Sequence, residues 1–211
     1  MTSKIDYHQL IQKDKIHGSI YTSDEVYADE IEKIFQNGWV YIGHESEIKE
    51  VGDYLVREVG RSSVIMVRDK NGLVNVHSNR CTHRGNMLCN ETEGNKRNFT
   101  CPYHGWVFNL DGELMDVAYP GGFDKPLDEL RLQTLTSDSY RGFVFASFKE
   151  PVISLDEHLG NAKSQIDIRS ITQRNNSYVQ KFCVVFLDLS GFSKATKTQG
   201  DFEALRMVLV A

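Results

Sequence analysis

The sequence has few cysteines, no excess of basic residues and no long hydrophobic run. No apolar stretch approaches the roughly 18 residues of a membrane-spanning helix, and residues 1–10 lack the apolar core of a secretory signal. The 29 Asp and Glu outnumber the 24 Lys and Arg, so no basic block is present to neutralise nucleic-acid phosphates. Four cysteines in 211 residues are too few for a disulfide scaffold. We therefore expect a cytoplasmic protein with reduced thiols and neither a membrane nor a nucleic-acid partner.

The hydrophobic fraction of 40% and the charged fraction of 25% are those of a globular protein with one core and short appendages. A first helix is predicted over residues 24–37, since Thr22 and Glu25 form a capping-box pattern and Gly38 supplies a stop signal. Apolar residues at helical spacing should form one packed face, made of Tyr27, Ile31, Ile34 and Phe35. We assign residues 1–39 to an N-terminal arm and helix.

Short apolar runs separated by turn signals follow the helix. Two pairs of runs flank Asn71-Gly72 and Asp111-Gly112, which are two-residue hairpin signals. Residues 142–148 read as a further strand that is rich in aromatics. These features predict a mainly β fold, with an antiparallel sandwich or barrel over residues 40–151.

The C-terminal part, residues 152–211, is expected to be a short α/β remnant. A helix is predicted at about 154–168, because Ser154 and Glu157 are spaced as a capping box. A strand is predicted within residues 178–189, and an apolar tail follows.

Two short loops inside the β region carry the chemistry. The first reads Cys81-Thr82-His83-Arg84-Gly85, and the second reads Cys101-Pro102-Tyr103-His104-Gly105-Trp106. Seventeen residues separate His83 from Cys101, and each loop supplies one thiolate and one imidazole. Such a donor set suits either zinc or an iron–sulfur centre with mixed ligands. One Cys and one His in each loop favours a two-iron cluster with both cysteines on one iron and both histidines on the other, and structural zinc stays open as the alternative.

These two motifs, at this separation, closely resemble the Rieske [2Fe–2S] signature. Respiratory Rieske proteins carry an extra cysteine in each loop, and Asn86 and Tyr103 stand at those positions here. The flanking segments resemble the large (alpha) subunit of aromatic-ring-hydroxylating dioxygenases over about residues 18–168. The segments concerned are Ile20-Tyr21-Thr22-Ser23, Gly43-His44-Glu45, Val51-Gly52-Asp53-Tyr54 and Tyr140-Arg141-Gly142-Phe143-Val144-Phe145.

The resemblance implies that Cys81, His83, Cys101 and His104 bind a [2Fe–2S] cluster. It further implies that a ferredoxin or flavin reductase supplies electrons, and that the cluster passes them to a mononuclear Fe(II) that dihydroxylates an aromatic substrate. Oxygenase alpha or beta subunits are the other implied partners. Trp106 and Phe108 are expected to shield the cluster from water, while Arg80 and Arg84 are candidates for docking an acidic redox partner.

The family's mononuclear iron site is not supported by this sequence. A site of two histidines and a carboxylate needs two histidines beyond the Rieske domain, and only His158 lies there. We therefore expect a reading frame truncated before the catalytic domain, with residues 169–211 unlike the family. The alternative is a stand-alone Rieske electron carrier without oxygenase activity. The other histidines considered, His44 and His77, are expected to be structural, and Cys89 and Cys183 to be ordinary thiols.

Overall fold

The computed structural model describes residues 5–118, 120–122 and 126–172. Within these ranges, helices α1–α4 span Tyr7–Leu10, Asp24–Glu30, Leu155–Leu159 and Ala162–Thr172. Strands β1–β10 span Val40–His44, Asp53–Val59, Ser62–Arg68, Val74–Ser78, Glu93–Asn95, Phe99–Thr100, Val107–Phe108, Leu114–Asp116, Thr136–Tyr140 and Phe143–Ser147. A π-helical turn, Ile31–Phe35, continues α2. None of the helices in this part of the chain is long and apolar enough to cross a membrane.

The described residues form two compact units. One contains the residues up to Val40 together with those from Val152 onward, and the other is Tyr41–Pro151. The second unit is built from three small sheets with the strand orders β1-β10-β9, β4-β3-β2-β5 and β6-β7-β8. These open sheets fit the predicted mainly β, sandwich-like class, and no closed barrel forms among the described strands.

Strand β3 is the centre of the largest sheet. It pairs antiparallel with β2 through Tyr54↔Val67 and with β4 through Val64↔Ser78. Its four central residues are fully buried: Val64, Ile65, Met66 and Val67. A strand covered on both faces needs apolar side chains on both, which explains the continuous apolar run in the sequence.

Both predicted hairpins form, but their turns are longer than two residues. In the β3–β4 turn the Asp69 N–H donates to Leu73 O at 2.8 Å, and the Asp69 carboxylate accepts the N–H groups of Asn71 and Leu73. In the β7–β8 turn Asn109 plays the same role towards Glu113. The prediction of two-residue turns was therefore wrong, because an Asp or Asn side chain stabilises a wider turn by binding the backbone.

The first helix begins where predicted but differs at its cap and its end. Ser23, not Thr22, accepts the N–H of Val26 and is the N-cap, while the Thr22 hydroxyl donates to Gly18 O. The regular α-helix ends at Glu30, where the π-helical turn begins. The buried residues of α2 and of the π-helical turn are Val26, Glu30, Ile31 and Ile34, whereas Tyr27 is exposed. Ile31 and Ile34 are thus buried as predicted, whereas Val26 takes the place on the buried face that was predicted for Tyr27.

The predicted helix at 154–168 is present as two helices. The capping box of Ser154 and Glu157 starts α3 as predicted. Gly160 then adopts a positive φ of 45°, which ends α3 before α4 begins at Ala162. The predicted strand at 178–189 and the apolar tail lie outside the described residues.

Candidate metal centre

The first loop, Cys81 to Gly85, follows β4 and closes on itself. The Cys81 N–H donates to Asn86 O at 2.8 Å, and the Gly85 N–H donates to Cys81 O at 2.8 Å. Gly85 has a φ of +71° and open space where a Cβ would stand, so glycine is favoured there by its backbone conformation and not by lack of space. The Thr82 hydroxyl, between the two predicted ligands, donates to Leu130 O at 2.6 Å. This bond ties the loop to a segment 48 residues away in sequence.

The second loop, Cys101 to Gly105, connects β6 to β7 and repeats the same closure. The Cys101 N–H donates to Trp106 O at 2.7 Å, and the Gly105 N–H donates to Cys101 O at 3.0 Å. Gly105 also has a positive φ, +69°. The two loops are therefore equivalent in backbone hydrogen bonding, although histidine is the third residue of one and the fourth of the other.

The two loops bring their thiols together. Cys81 and Cys101 are both buried, and their side chains hydrogen-bond to each other. The pKa of the Cys81 thiol is raised to about 11, chiefly by burial and in addition by the neighbouring Cys101 sulfur. The backbone N–H groups of His83 and Arg84 donate to the Cys81 sulfur and act in the opposite direction. These donors are already in place for a sulfur that carries negative charge.

The two imidazoles form the other half of the site. The ring centroids of His83 and His104 lie 4.6 Å apart with a 64° angle between the rings. Nδ1 is removed from solvent in both rings, and Nδ1 of His104 has no hydrogen-bond partner among the described residues. Burial, followed by the charges of His104 and Arg84, lowers the pKa of His83. Buried polar atoms normally have a partner, so a buried imidazole nitrogen that makes no hydrogen bond fits a nitrogen that binds a metal ion.

This arrangement fits a two-iron cluster. The cysteines are paired with each other and the histidines with each other. Two thiolates and two imidazoles grouped by kind are the donor set of a [2Fe–2S] centre with one Cys-bound and one His-bound iron.

Aromatic side chains enclose the histidine half of the site. Trp106 is buried and stacks on His83, with centroids 4.8 Å apart and an angle of 6°. Phe108 is fully buried, and its ring centroid lies 6.3 Å from that of Trp106. Tyr103 is 59% exposed, and its ring centroid lies 3.8 Å from that of His104. Trp106 was expected beside the cluster, whereas the Tyr103 contact and the bond from Thr82 were missed.

His44 and His77 have structural surroundings. His44 caps the short turn after β1 through Nδ1, which accepts the Ser46 N–H at 3.1 Å. His77 is fully buried, with Nε2 3.0 Å from Leu110 O and Nδ1 3.0 Å from Thr134 Oγ1. Both histidines are structural, as predicted.

Cys89 and Cys183 are the cysteines outside the predicted ligand set. Cys89 is buried against Tyr54 and hydrogen-bonds to its hydroxyl. Burial raises the pKa of Cys89 to about 11, so its thiol stays protonated at neutral pH, as in an ordinary buried cysteine. Cys183 lies outside the described residues.

The comparison with known proteins agrees with this geometry. Residues 38–129 match the family model of the Rieske [2Fe-2S] domain. Residues 38–129 are therefore a Rieske [2Fe-2S] domain. More particularly, the chain is related to the alpha subunits of Rieske ring-hydroxylating oxygenases, which confirms the resemblance seen in the sequence.

Three relatives define the extent of this relationship. The alpha subunit of benzene 1,2-dioxygenase from Pseudomonas putida is 36% identical over 168 residues, 79% of this chain and 37% of that protein. The alpha subunit of N,N-dimethyl phenylurea N-demethylase from Sphingobium sp. (strain YBL2) is 38% identical over 153 residues, 70% of this chain and 33% of that protein. The crystal structure of naphthalene 1,2-dioxygenase from Rhodococcus sp. bound to indole superimposes with a TM-score of 0.69 at 36% identity, covering 73% of this chain and 36% of that one. The chain thus spans about a third of the length of these relatives.

Proposed function

We propose that Cys81, His83, Cys101 and His104 hold the [2Fe–2S] cluster of the Rieske domain. The cysteine thiolates would bind one iron, and the histidines would bind the other through Nδ1. The observation that carries this proposal is the pairing of like donors by two loops with the same backbone closure. When bound, such a cluster supplies reversible one-electron transfer.

The protein residues around the site support electron transfer in three ways. Both thiols are buried, and Trp106 covers one face of His83, which excludes water from the sulfur atoms and the ligand bonds. The N–H groups of His83 and Arg84 stabilise negative charge on the Cys81 sulfur. With Nδ1 turned inward, Nε2 is the imidazole nitrogen that holds or releases a proton as the charge of the site changes.

The function supported best is the electron-transfer part of an aromatic-ring-hydroxylating oxygenase, located in the domain at residues 40–151. Electrons would arrive from a ferredoxin or a flavin reductase and leave towards a mononuclear iron that dihydroxylates an aromatic substrate. Support comes from relatives named as dioxygenase alpha subunits, including that of benzene 1,2-dioxygenase. A similarly related N-demethylase leaves the substrate and the type of oxidation open.

The surface beside the first loop favours an acidic electron-transfer partner. Arg80 and Arg84 are both exposed on either side of Cys81, and Met87 and Tyr103 add exposed apolar area. Opposite charges steer association most strongly at low salt. Arg84→Gln is expected to slow reduction by an acidic ferredoxin and to weaken the salt dependence of the rate in stopped-flow experiments. An unchanged rate at low salt would argue against this docking surface.

The test of the cluster assignment uses anaerobically purified protein. About two irons and two sulfides per chain, with an EPR signal after dithionite reduction, are expected for the wild type. Cys81→Ser and His104→Ala should each abolish that signal. Cys89→Ser is the matched control, because it removes a buried thiol that is not a proposed ligand, and it should retain the cluster. Zinc in place of iron, or an intact cluster in Cys81→Ser, would refute the proposal.

A further inference from the structure

Four aromatic rings form a continuous row through the histidine half of the site. In order they are Trp106, His83, His104 and Tyr103, with successive centroid distances of 4.8, 4.6 and 3.8 Å. The row begins at a buried ring, since Trp106 is 3% exposed, and ends at a largely exposed one, Tyr103. Each predicted histidine ligand therefore contacts an aromatic ring in addition to the other histidine.

The Trp106 contact links the two loops. Trp106 O accepts the N–H of Cys101, which fixes the tryptophan to the second loop. Its ring, however, lies parallel to His83 of the first loop, at an angle of 6°. The same residue thus sets where the imidazole of one loop stands relative to the thiol of the other.

The Tyr103 contact acts within one loop. Tyr103 directly precedes His104, and the two rings are inclined by 32°. A neighbouring ring at this distance removes rotational freedom about the imidazole side-chain bonds. His104 is the histidine whose buried Nδ1 makes no hydrogen bond among the described residues, so no hydrogen bond at that atom orients its ring.

We infer that Trp106 and Tyr103 are positioning residues that hold the imidazoles of His83 and His104 from opposite ends of the row. Each keeps Nδ1 of its own histidine directed at the cluster, and neither contacts iron. The inference rests on the proposed function, since it assumes that both histidines are ligands. Positioning of this kind must show in the metal–nitrogen bonds themselves as well as in stability.

The experiment compares nitrogen hyperfine couplings in the dithionite-reduced protein by pulsed EPR. Trp106→Leu is expected to change the coupling of one coordinating imidazole, and Tyr103→Leu that of the other. Each should also change the ratio of oxidised to reduced cluster at a fixed potential by about two- to tenfold, on the scale of an aromatic pair interaction. The conservative variants Trp106→Phe and Tyr103→Phe keep a ring and should restore values close to the wild type.

Two control variants separate positioning from general stability. Phe99→Leu removes a fully buried ring that packs on Tyr54, and Tyr21→Leu removes an exposed ring. Both should keep wild-type couplings, even where Phe99→Leu lowers the unfolding midpoint. If Trp106→Leu does not retain the cluster, the couplings measured in Tyr103→Leu test the inference, because the Tyr103 side chain is exposed.

The outcomes distinguish the inference from the proposed function. A wild type without a [2Fe–2S] signal overturns the proposed function. A wild type with the signal, combined with unchanged couplings in Trp106→Leu and Tyr103→Leu, overturns only the positioning roles. A change of the nitrogen couplings in Phe99→Leu equal to that in Trp106→Leu would also overturn the positioning roles.

Discussion

Replacing Gly112 with alanine is expected to cost more stability than the same change at Gly72. The two glycines occupy equivalent positions in the β7–β8 and β3–β4 turns, with φ values of +81° and +82°. Alanine in this left-handed region costs about 1–2 kcal/mol, partly offset by about 0.4–1 kcal/mol from a less flexible unfolded chain. Both variants share this backbone cost, so a comparison between them cancels it.

The space around the two glycines differs. A Cβ at Gly72 would meet nothing within 4 Å, whereas one at Gly112 would lie 2.9 Å from Cε1 and 3.0 Å from Nδ1 of His77. His77 is fully buried and held through both ring nitrogens, so its ring has little room to shift. Overpacking a core typically costs about 1–3 kcal/mol, and we expect Gly112→Ala to be less stable than Gly72→Ala by that amount.

Urea unfolding followed by circular dichroism measures the difference. In a His77→Ala background, the extra cost at Gly112 should shrink, because the ring with which the new methyl group collides is gone. Equal losses for Gly72→Ala and Gly112→Ala, within about 0.5 kcal/mol, would show that the close approach to His77 has no energetic consequence.

Three further expectations concern single side chains. Burial lowers the pKa of His77, so the folded state binds a proton less readily than the unfolded state. The free energy of unfolding should therefore fall as the pH drops below about 6.5, and His77→Gln should reduce that slope in urea titrations. Thr82→Val removes the bond to Leu130 O and should speed cluster loss to a chelator, with a cost of about 0.5–1.5 kcal/mol; Thr100→Val, which loses only a 3.4 Å local contact, serves as the control and should have little effect. Ser154→Ala removes a helix cap worth about 1 kcal/mol; it should lower the thermal midpoint and leave the EPR spectrum unchanged, and an altered spectrum would contradict the assignment of α3 to a unit separate from the cluster loops.

The hairpins were predictable because their signals are local. The turn residues and the apolar runs beside them lie within a few positions of each other, and backbone hydrogen bonds across a short turn fix the pairing. Some of the strands that the sequence did not place are short or polar, such as β5 and β6, with three and two residues. They are held by pairing with β2 and β7, so no intrinsic preference marks them.

Local signals also failed where neighbouring interactions compete. Both Thr22 and Ser23 are acceptable caps, and only the position of the Val26 N–H decided for Ser23. Likewise, the helical pattern after residue 154 continues through Gly160, whose positive φ splits it into α3 and α4. Boundaries of this kind depend on differences of a fraction of a kcal/mol between alternatives that a sequence pattern does not resolve.

The sequence by itself determined the candidate ligands, because the two Cys/His loops have a residue spacing that follows from the chemistry of a mixed-ligand cluster. It also determined the mainly β class, through the alternation of apolar runs and turns. Only the tertiary structure decided which side chains surround the ligands. Trp106 reaches across to His83, and Thr82 bonds to Leu130, 48 residues away. Such contacts arise when segments distant in the chain pack together, and the spacing of residues along the chain does not predict which side chains then meet.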